Sequence, residues 1–482
     1  MAGGSATVLL VSEARTLDPA FGSNNNIGNA PVMNGIFGTL LVTDPETHEV
    51  VPSMATSFTT TDDGKTFVLT LRDGLTFSDG SPLEASDVKA HWDRVKDPAT
   101  GTSYQGEAAL VASTEVVSPT TLRATMVAPV PNFGNTIVST VLNWVPEKES
   151  IAAGGPAFDE NPIGAGPYTL KEWRRQDALV LVKNPDYWDA PRPYLDEITF
   201  RPSTDAGQRL NTVVTGGADV ALESNWLNLK KAEQAGLVVR TQSLSGGNYL
   251  AMNTRRAPFD DVRARRAVAL ALDPLSINAS AFDGAAELVD SVFSPESPLN
   301  TGVAVPAPDK VEAQRLFDEL AAEGTPVSFT VTSSASTESS RTSESIQAQL
   351  SAFDYVEVEI EFVQFAAISA LAASKDFDAT VWSAAFLDPD PKLFTAFEGS
   401  SRANQTGIDD PELNAALLAG RTSSSVEDRK VAYEVVQQRL NELRPNFWTS
   451  RNNSSVISGR QVGGLNLYGF GSLRPELLWI QN

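Results

Sequence analysis

Apolar and polar positions alternate most clearly near the start of the chain. Phe67, Leu69 and Leu71 alternate with polar residues, and so do Leu75 and Phe77, the period-two pattern of strands with one buried face. Asp63-Gly64, Asp73-Gly74 and Asp79-Gly80 separate these runs. Asp-Gly pairs suit tight turns, so an antiparallel meander is predicted. A short strand, Ala6–Ser12, precedes it, and residues 17–37 lead from a turn into a helix with Asn24, Asn25 and Asn26 near its start. The period then becomes helical. Val88, His91, Trp92 and Val95 recur on one face behind Ser86, a predicted N-cap. Strands are predicted near Ala112–Val117 and Thr121–Val127. From Asn161 to Trp188 a Gly- and Pro-rich turn feeds an alternating strand, a charged turn, a second strand and an Asn-Pro-Asp-Tyr-Trp stop, the signature of a hairpin. Gly164, Gly166 and Pro167 are expected to form a turn with unusual backbone angles.

Further on, strands and helices alternate. Ile198–Arg201 reads as a strand, Ala206–Thr215 as a helix, Gly217–Ala221 and Gly247–Asn253 as strands. Asp260 and Asp261 open a helix whose apolar face is Ala264, Ala267, Val268, Ala271 and Leu272. A helix over 308–324 ends at Gly324. Val327–Thr332 is a predicted strand, Ser343–Ala352 a helix and Val356–Val363 a strand. This order predicts α/β lobes. There is no internal repeat and no long linker, and the Ser-rich run Ser333–Ser345 is short. The lobes are therefore expected to interleave along the chain.

Composition narrows the function. A chain of 482 residues implies two or three domains, each able to bury a core. No run of eighteen apolar residues occurs, so no membrane span is expected. The start, MAGGSAT, has neither a basic nor an apolar leader region. Either the protein is cytoplasmic, or a secretion signal was removed, and a lipoprotein's anchoring Cys would lie upstream. Cysteine is absent, which removes disulfides, thiol nucleophiles and Cys-ligated metals. A formal net charge of -23 argues against a nucleic-acid partner, because a phosphate backbone would be repelled. The acidity either marks an exported protein or steers cationic ligands. The two histidines, His48 in a turn and His91 on an apolar helix face, read as structural, so no metal site and no cofactor are expected.

Enzyme motifs are weak. Ser86-Asp87-Val88-Lys89 matches the S-x-x-K element of penicillin-recognising hydrolases. The companion K-T-G is missing, since Lys65-Thr66 continues with Phe67, and a helix cap explains Ser86. Gly164-Ala165-Gly166 begins a G-x-G that Pro167 and Thr169 break, and neither a Walker loop nor a G-x-S-x-G elbow is present. A serine hydrolase using Ser86 and Lys89 is the remaining enzyme reading.

Four blocks, in order, carry a resemblance: Asp62–Val95; Asn161–Trp188, with its Gly-Ala-Gly-Pro-Tyr and Leu-Val-Lys-Asn-Pro-Asp-Tyr-Trp; Leu250–Asp273 (LAMNTRRAPFDDVRARRAVALALD); and Val381–Phe397 (VWSAAFLDPDPKLFTAF). With the closing Gly-Arg-Gln-Val-Gly-Gly they resemble the class C (family 5) solute-binding proteins of bacterial ABC transporters over nearly the whole chain. The resemblance implies a periplasmic-binding-protein-like α/β fold, class C, with two α/β lobes around a hinged cleft plus an extra small α+β domain. By this likeness lobe I comprises residues 1–40, 163–245 and 450–482, with a hinge near 245; the extra domain is 41–162, and lobe III is 246–449. It implies an extracytoplasmic receptor for an ABC importer, a monomer that does no chemistry, held to the membrane only through an upstream lipid anchor. The ligand would be a di- or oligopeptide, or else a non-peptide solute such as an oligosaccharide or an opine. The permease subunits would be its partners, and lobe closure its mechanism.

Carried over by position, the cleft-lining segments are Ser23–Ile27, Thr140–Val145, Ser245–Tyr249 and Val381–Asp390. The candidate ligand contacts are Asn24, Asn25, Asn26, Trp144, Trp226, Asn248, Tyr249, Trp382, Ala385, Phe386 and Asp388. Each aromatic among them could instead be lobe core, and each Asn a plain turn residue. Peptide-binding members have Asp where this chain has Ala385, and that carboxylate pairs with the peptide's α-ammonium. A peptide amine would then have to be met by Asp388 or Asp390, or the ligand is not a standard free peptide.

Overall fold

Val8 and Leu10 face one buried core and Leu9 another, as a strand covered on both faces requires. In the computed structural model, which describes residues 3–25, 29–153, 155–364 and 367–481, this strand, Ser5–Leu10, is central to a seven-stranded sheet. The order is Val238–Ser243, Asn453–Ser458, Val220–Glu223, Ser5–Leu10, Glu197–Pro202, Ala178–Lys183, Tyr168–Arg174. The central strand runs parallel to both neighbours. The chain divides into two units, Met1–Gln242 with Asn453–Asn482, and Ser243–Asn452. The second is thus one continuous stretch inserted into the first.

The first unit also holds a four-stranded antiparallel sheet ordered Ala55–Thr59, Thr66–Leu71, Thr121–Met126, Val111–Ser118. Phe67, Leu69 and Leu71 point from it into the same buried cluster as Val8 and Leu10. The predicted meander is corrected in part. Asp63-Gly64 does separate two paired strands, but residues 72–84 form only the isolated bridge Thr76–Pro82. Leu75 and Phe77 are buried there without a sheet strand. Helix Ala85–Lys96 buries Val88, His91, Trp92 and Val95 as its period demands. Its N-cap is Glu84, not Ser86. The Asp87 carboxylate accepts from the Glu84 backbone N–H at 2.8 Å, and that bond fixes the helix start.

The hairpin of Asn161–Trp188 consists of Tyr168–Arg174 and Ala178–Lys183. Asn184 closes it, donating from Nδ2 to the Gly166 carbonyl at 2.9 Å. Gly164 and Gly166 are not among the positive-φ glycines, contrary to the expected unusual angles. They are glycine because helix Ala30–Phe37 lies on the turn: a Cβ would sit 2.2 Å from the Ile36 carbonyl oxygen at Gly164 and 2.3 Å from that of Gly35 at Gly166.

The second unit is built on a five-stranded sheet ordered Val356–Val363, Val327–Ser334, Ala379–Phe386, Ser245–Met252, Asn446–Ser450. The first three strands are mutually parallel, and Ser245–Met252 runs antiparallel to both neighbours. Leu250 and Met252 enter one core with Phe259, Ala267 and Val268, while Tyr249 and Ala251 enter the other with Phe397 and Trp448. Helix Val262–Ala271 is capped by Asp261, whose carboxylate accepts from the Arg263 N–H. The Ser-rich run contributes Ser336 as the cap of helix Thr337–Leu350, which therefore begins before the predicted Ser343. No helix among the described residues is long and apolar enough to cross a membrane.

Candidate ligand-binding site

Two strands far apart in sequence bring most of the second unit's candidates together. Across the ladder of Ser245–Met252 and Ala379–Phe386, Asn248 lies opposite Ser383, Tyr249 opposite Trp382, Gly246 opposite Ala385 and Ser245 opposite Phe386. Side chains alternate between sheet faces. Tyr249, Trp382 and Phe386 therefore share one face, and Asn248, Ser383 and Ala385 the other. Gly246 at the start of the ladder has φ +70, and a Cβ there would lie 1.9 Å from the Ala384 carbonyl oxygen, so only glycine fits.

Residual capacity separates the candidates. Tyr249 is fully buried, its ring 5.1 Å from Trp448 and 5.8 Å from Phe397, and burial pushes its hydroxyl pKa up. Phe386 is buried against Phe293. Both are buried among other rings in this unit. Trp382 is half-buried at the edge of the same cluster, and its indole N–H donates to nothing among the described residues. Asn248 is half-buried and donates from Nδ2 to Ser450 Oγ at 3.3 Å. Exposed Ser383 donates to Asn452 Oδ1 at 3.3 Å. Asn248, Ser383, Ser450 and Asn452 form a polar strand end beside Ala385. Sequence reasoning missed Ser450 and Asn452; Ser383 lies inside the expected segment Val381–Asp390 but was not singled out as a contact.

The acidic candidates are already committed. Arg429 grips Asp388 with two bonds of 2.9 and 2.7 Å, a fork-on-fork pair. Arg421 Nε donates to Asp390 Oδ1 at 2.6 Å. Burial pushes the Asp390 carboxyl pKa up even with that arginine beside it. Asp388 is thus an ion-pair partner of Arg429 in this structure. Both oxygens of Asp388 are engaged, whereas Asp390 Oδ2 is buried with no partner among the described residues.

In the first unit the candidates scatter. Asn24 is buried and donates from Nδ2 to the Val138 and Thr140 carbonyls at 3.0 and 3.2 Å. Trp144 is fully buried and donates to Asn34 Oδ1 at 2.8 Å, and the whole segment Thr140–Val145 is buried with it. Asn24 and Trp144 both act here as internal struts. Asn25 is half-buried, and Asn26 lies outside the described residues. Trp226 opens helix Trp226–Gln234 and is half-buried against the Leu229 cluster, so it keeps an exposed part.

The hydrolase motif has no working pair. Lys89 is tied to Asp93 and to Thr114 Oγ1, and Ser86 Oγ accepts from Lys148 at 3.3 Å. His91 is fully buried with Nε2 3.0 Å from the Val141 carbonyl, and burial lowers its pKa to about 4. His48 lies in the turn between Leu41–Thr43 and Val50–Pro52. No group of metal-ligating side chains occurs among the described residues.

Solved structures share this architecture. The binding protein AgaA of A. tumefacien R10, in complex with agropinic acid, superposes with a TM-score of 0.85 at 22% identity, covering 99% of both chains. DppA of Helicobacter pylori, in complex with the peptide STSA, gives 0.84 at 21% identity over 100% of this chain and 99% of that one. AppA of Bacillus subtilis, in complex with a nonapeptide, gives 0.81 at 22% identity over 100% of both. The fold is that of a class C periplasmic binding protein. Residues 49–405 match the profile of the bacterial extracellular solute-binding proteins, family 5 middle region, and the chain belongs to that family. Among its relatives, the glutathione-binding protein GsiB of Salmonella paratyphi A (strain ATCC 9150 / SARB42) is 29% identical over 69% of this chain and 64% of its own length. The GsiB of Shigella boydii serotype 4 (strain Sb227) is 30% identical over 67% and 62%. The matched stretch is thus under two thirds of either relative. These relatives are solute-binding proteins, not enzymes.

Proposed function

We propose that this chain is the extracytoplasmic receptor of an ABC importer. It captures a small peptide-class solute by lobe closure and hands it to the permease. Family membership over residues 49–405 supports the receptor role. In this reading the protein works as a monomer, does no chemistry, and reaches the membrane only through a lipid anchor upstream. Residues 41–162 serve as the extra domain of the class. The ligand stabilises the closed form by binding it better than the open one.

One observation carries the ligand reading: the polar strand end of Asn248, Ser383, Ser450 and Asn452 stands beside Ala385, while Asp388 and Asp390 are paired with arginines. This strand end meets the ligand with neutral donors and acceptors, so it does not anchor an α-ammonium. Trp382 stacks on the ligand. The same observation favours a second ligand class, an opine-like or otherwise non-peptide solute.

Native mass spectrometry of protein purified without denaturation identifies any retained ligand. Calorimetry then compares glutathione, free peptides, their N-acetylated forms and opines. Acetylated and free peptides are expected to bind within about tenfold, about 1.4 kcal/mol, of each other. A loss of about a hundredfold on acetylation would sink the neutral reading. Trp382→Ala should weaken binding at least about tenfold without changing the melting temperature; unchanged affinity removes Trp382 from the site. Turnover of peptides or β-lactams would contradict a pure receptor.

A further inference from the structure

Strand Asn446–Ser450 breaks its own alternation. Phe447 lies opposite Leu250 and Trp448 opposite Tyr249, but Ser450, not Thr449, lies opposite Asn248. Thr449 is the extra residue of a bulge, and its hydroxyl donates to the Asn248 carbonyl at 3.1 Å. One extra residue turns the side chains beyond it to the other face of the sheet. In regular register Ser450 would share the face of Trp448 and Tyr249. In the bulged register its Oγ accepts from Asn248 Nδ2 at 3.3 Å. Ser450 thus belongs to the polar strand end only because of the bulge.

The next residue, Arg451, is 1% exposed. Its Nη2 donates to the Ser291 carbonyl at 3.0 Å and its Nη1 to the Gly246 carbonyl at 3.4 Å. Glu287 Oε1 lies 2.9 Å from its Nε, and Asp290 Oδ1 lies 3.3 Å from its Nη2. Its backbone N–H donates to the Glu287 carbonyl at 2.8 Å. The same loop holds the start of the neighbouring strand: the Gly246 N–H donates to the Val292 carbonyl at 2.6 Å, and the Ser294 N–H to Ser245 Oγ at 3.0 Å. Arg451 therefore ties the bulged strand and strand Ser245–Met252 to one loop, residues 287–294. The strands are close here, since a Cβ on Gly247 would lie 2.3 Å from the Ser450 carbonyl oxygen. Buried ion pairs add little stability over apolar side chains of the same volume. What a guanidinium supplies is direction, because its planar fork fixes where each partner must lie.

We propose that Arg451 is a positioning residue for the ligand site. By anchoring the bulge at Thr449 it holds its two chain neighbours, Ser450 and Asn452, in the polar strand end, and it acts on the ligand only through them. The proposal rests on that strand end being the ligand site. The alternative role is a plain structural ion pair, whose loss lowers stability and moves nothing at Asn248 or Asn452.

Nitrogen-15 correlation spectra of the whole ligand-free chain separate the two, read at the side-chain amide signals of Asn248 and Asn452. Arg451→Met should shift both. Arg451→Lys, which keeps the charge and loses the fork, should shift them less. Thr449→Val, which removes only the bond to the Asn248 carbonyl, should shift Asn248 and serves if Arg451→Met does not fold. Phe317→Ala opens a cavity in the core on the other face of the sheet; it should lower the melting temperature and leave both signals in place. Calorimetry with glutathione reads the consequence. Arg451→Met should bind it at least about tenfold more weakly, with Arg451→Lys between and Phe317→Ala within about twofold of the native chain. Unmoved signals in Arg451→Met and Thr449→Val, or equal shifts in Phe317→Ala, would overturn the proposal. So would signals that move while glutathione affinity holds, in a chain where Asn248→Ala weakens it. If Asn248→Ala leaves the affinity unchanged, it is the ligand assignment of the strand end that falls, and the amide signals judge the anchor whether or not glutathione binds.

Discussion

Asn34→Leu is the sharpest probe of the strut that Asn24 and Trp144 belong to. Asn34 is 1% exposed in helix Ala30–Phe37. Its Oδ1 accepts from Trp144 Nε1 and from the Tyr468 hydroxyl, each at 2.8 Å. Its Nδ2 donates to Ser472 Oγ and to the Leu473 carbonyl, each at 2.8 Å. Leucine keeps the volume and strands these partners. The Tyr468 hydroxyl retains Asn24 Oδ1 at 3.3 Å, and the Ser472 hydroxyl can turn. The Trp144 N–H and the Leu473 carbonyl are left with nothing. Each buried orphan costs about 1–3 kcal/mol, which puts the loss at about 4 kcal/mol. At about 2 °C per kcal/mol for a unit of this size, melting should fall by about 8 °C. Circular dichroism reads the melt, and a urea titration should show a lower midpoint with an unchanged slope. A melt within about 2 °C of the native chain would refute the strut. Trp144→Phe provides the control: it should cost about 1–3 kcal/mol from lost volume and a vacated acceptor, with ligand affinity unchanged. If Trp144 instead touched the ligand, affinity would fall and the melt would hold.

Three further outcomes follow from the geometry. Gly166→Ala forces a Cβ to within 2.3 Å of the Gly35 carbonyl oxygen; overpacking of this kind costs about 1–3 kcal/mol, readable as a lower urea midpoint. Asp388→Asn should destabilise by about 3–5 kcal/mol because Arg429 is left buried and unpaired, and Asp388→Leu with Arg429→Met should restore most of it; ligand affinity should change in neither. His91 has its pKa lowered from 6.5 to about 4. The unfolded chain therefore takes up this proton first, so stability is lost as pH falls through 6.5 toward 4. Against a His91→Gln reference the loss at pH 5 should be about 2 kcal/mol, and parallel stability–pH curves for the two proteins would show that His91 is not buried neutral.

What was legible in the sequence was what local chemistry decides. The apolar face Ala264, Ala267, Val268, Ala271 and Leu272 is buried as its spacing required, and the hairpin after Pro167 forms where its turn residues placed it. Ser86 misled because Ser is a good cap, while Asp87 one position on makes the bond that sets the helix start. Gly164 and Gly166 announced a constraint without its kind; the cause is a helix more than a hundred residues earlier in the chain. The partners of Asp388 and Asp390 were invisible for the same reason. Arg429 and Arg421 sit on helices Val426–Leu443 and Pro411–Thr422, and nothing in an Asp-Pro-Asp stretch names them.

The side chains that look most like ligand contacts in a sequence are those richest in hydrogen bonds, charge and ring surface, and a fold can use the same capacity on itself. Asn24, Trp144 and Asp388 have been used in this way: amide to carbonyl, indole to amide, carboxylate to guanidinium; Tyr249 spends its ring on Trp448, while its buried hydroxyl has no partner among the described residues. A residue can bind a solute only with capacity left over. Trp382 keeps part of its surface exposed and an undonated N–H among the described residues. Asn248 spends one amide donor on Ser450 at 3.3 Å, and its side-chain oxygen accepts nothing among the described residues. Ser383 is exposed beside them. These three share one pair of strands, and their unused donors and acceptors are neutral. A solute that meets them gains hydrogen bonds and stacking without an ion pair, so affinity at this strand end should depend only weakly on salt.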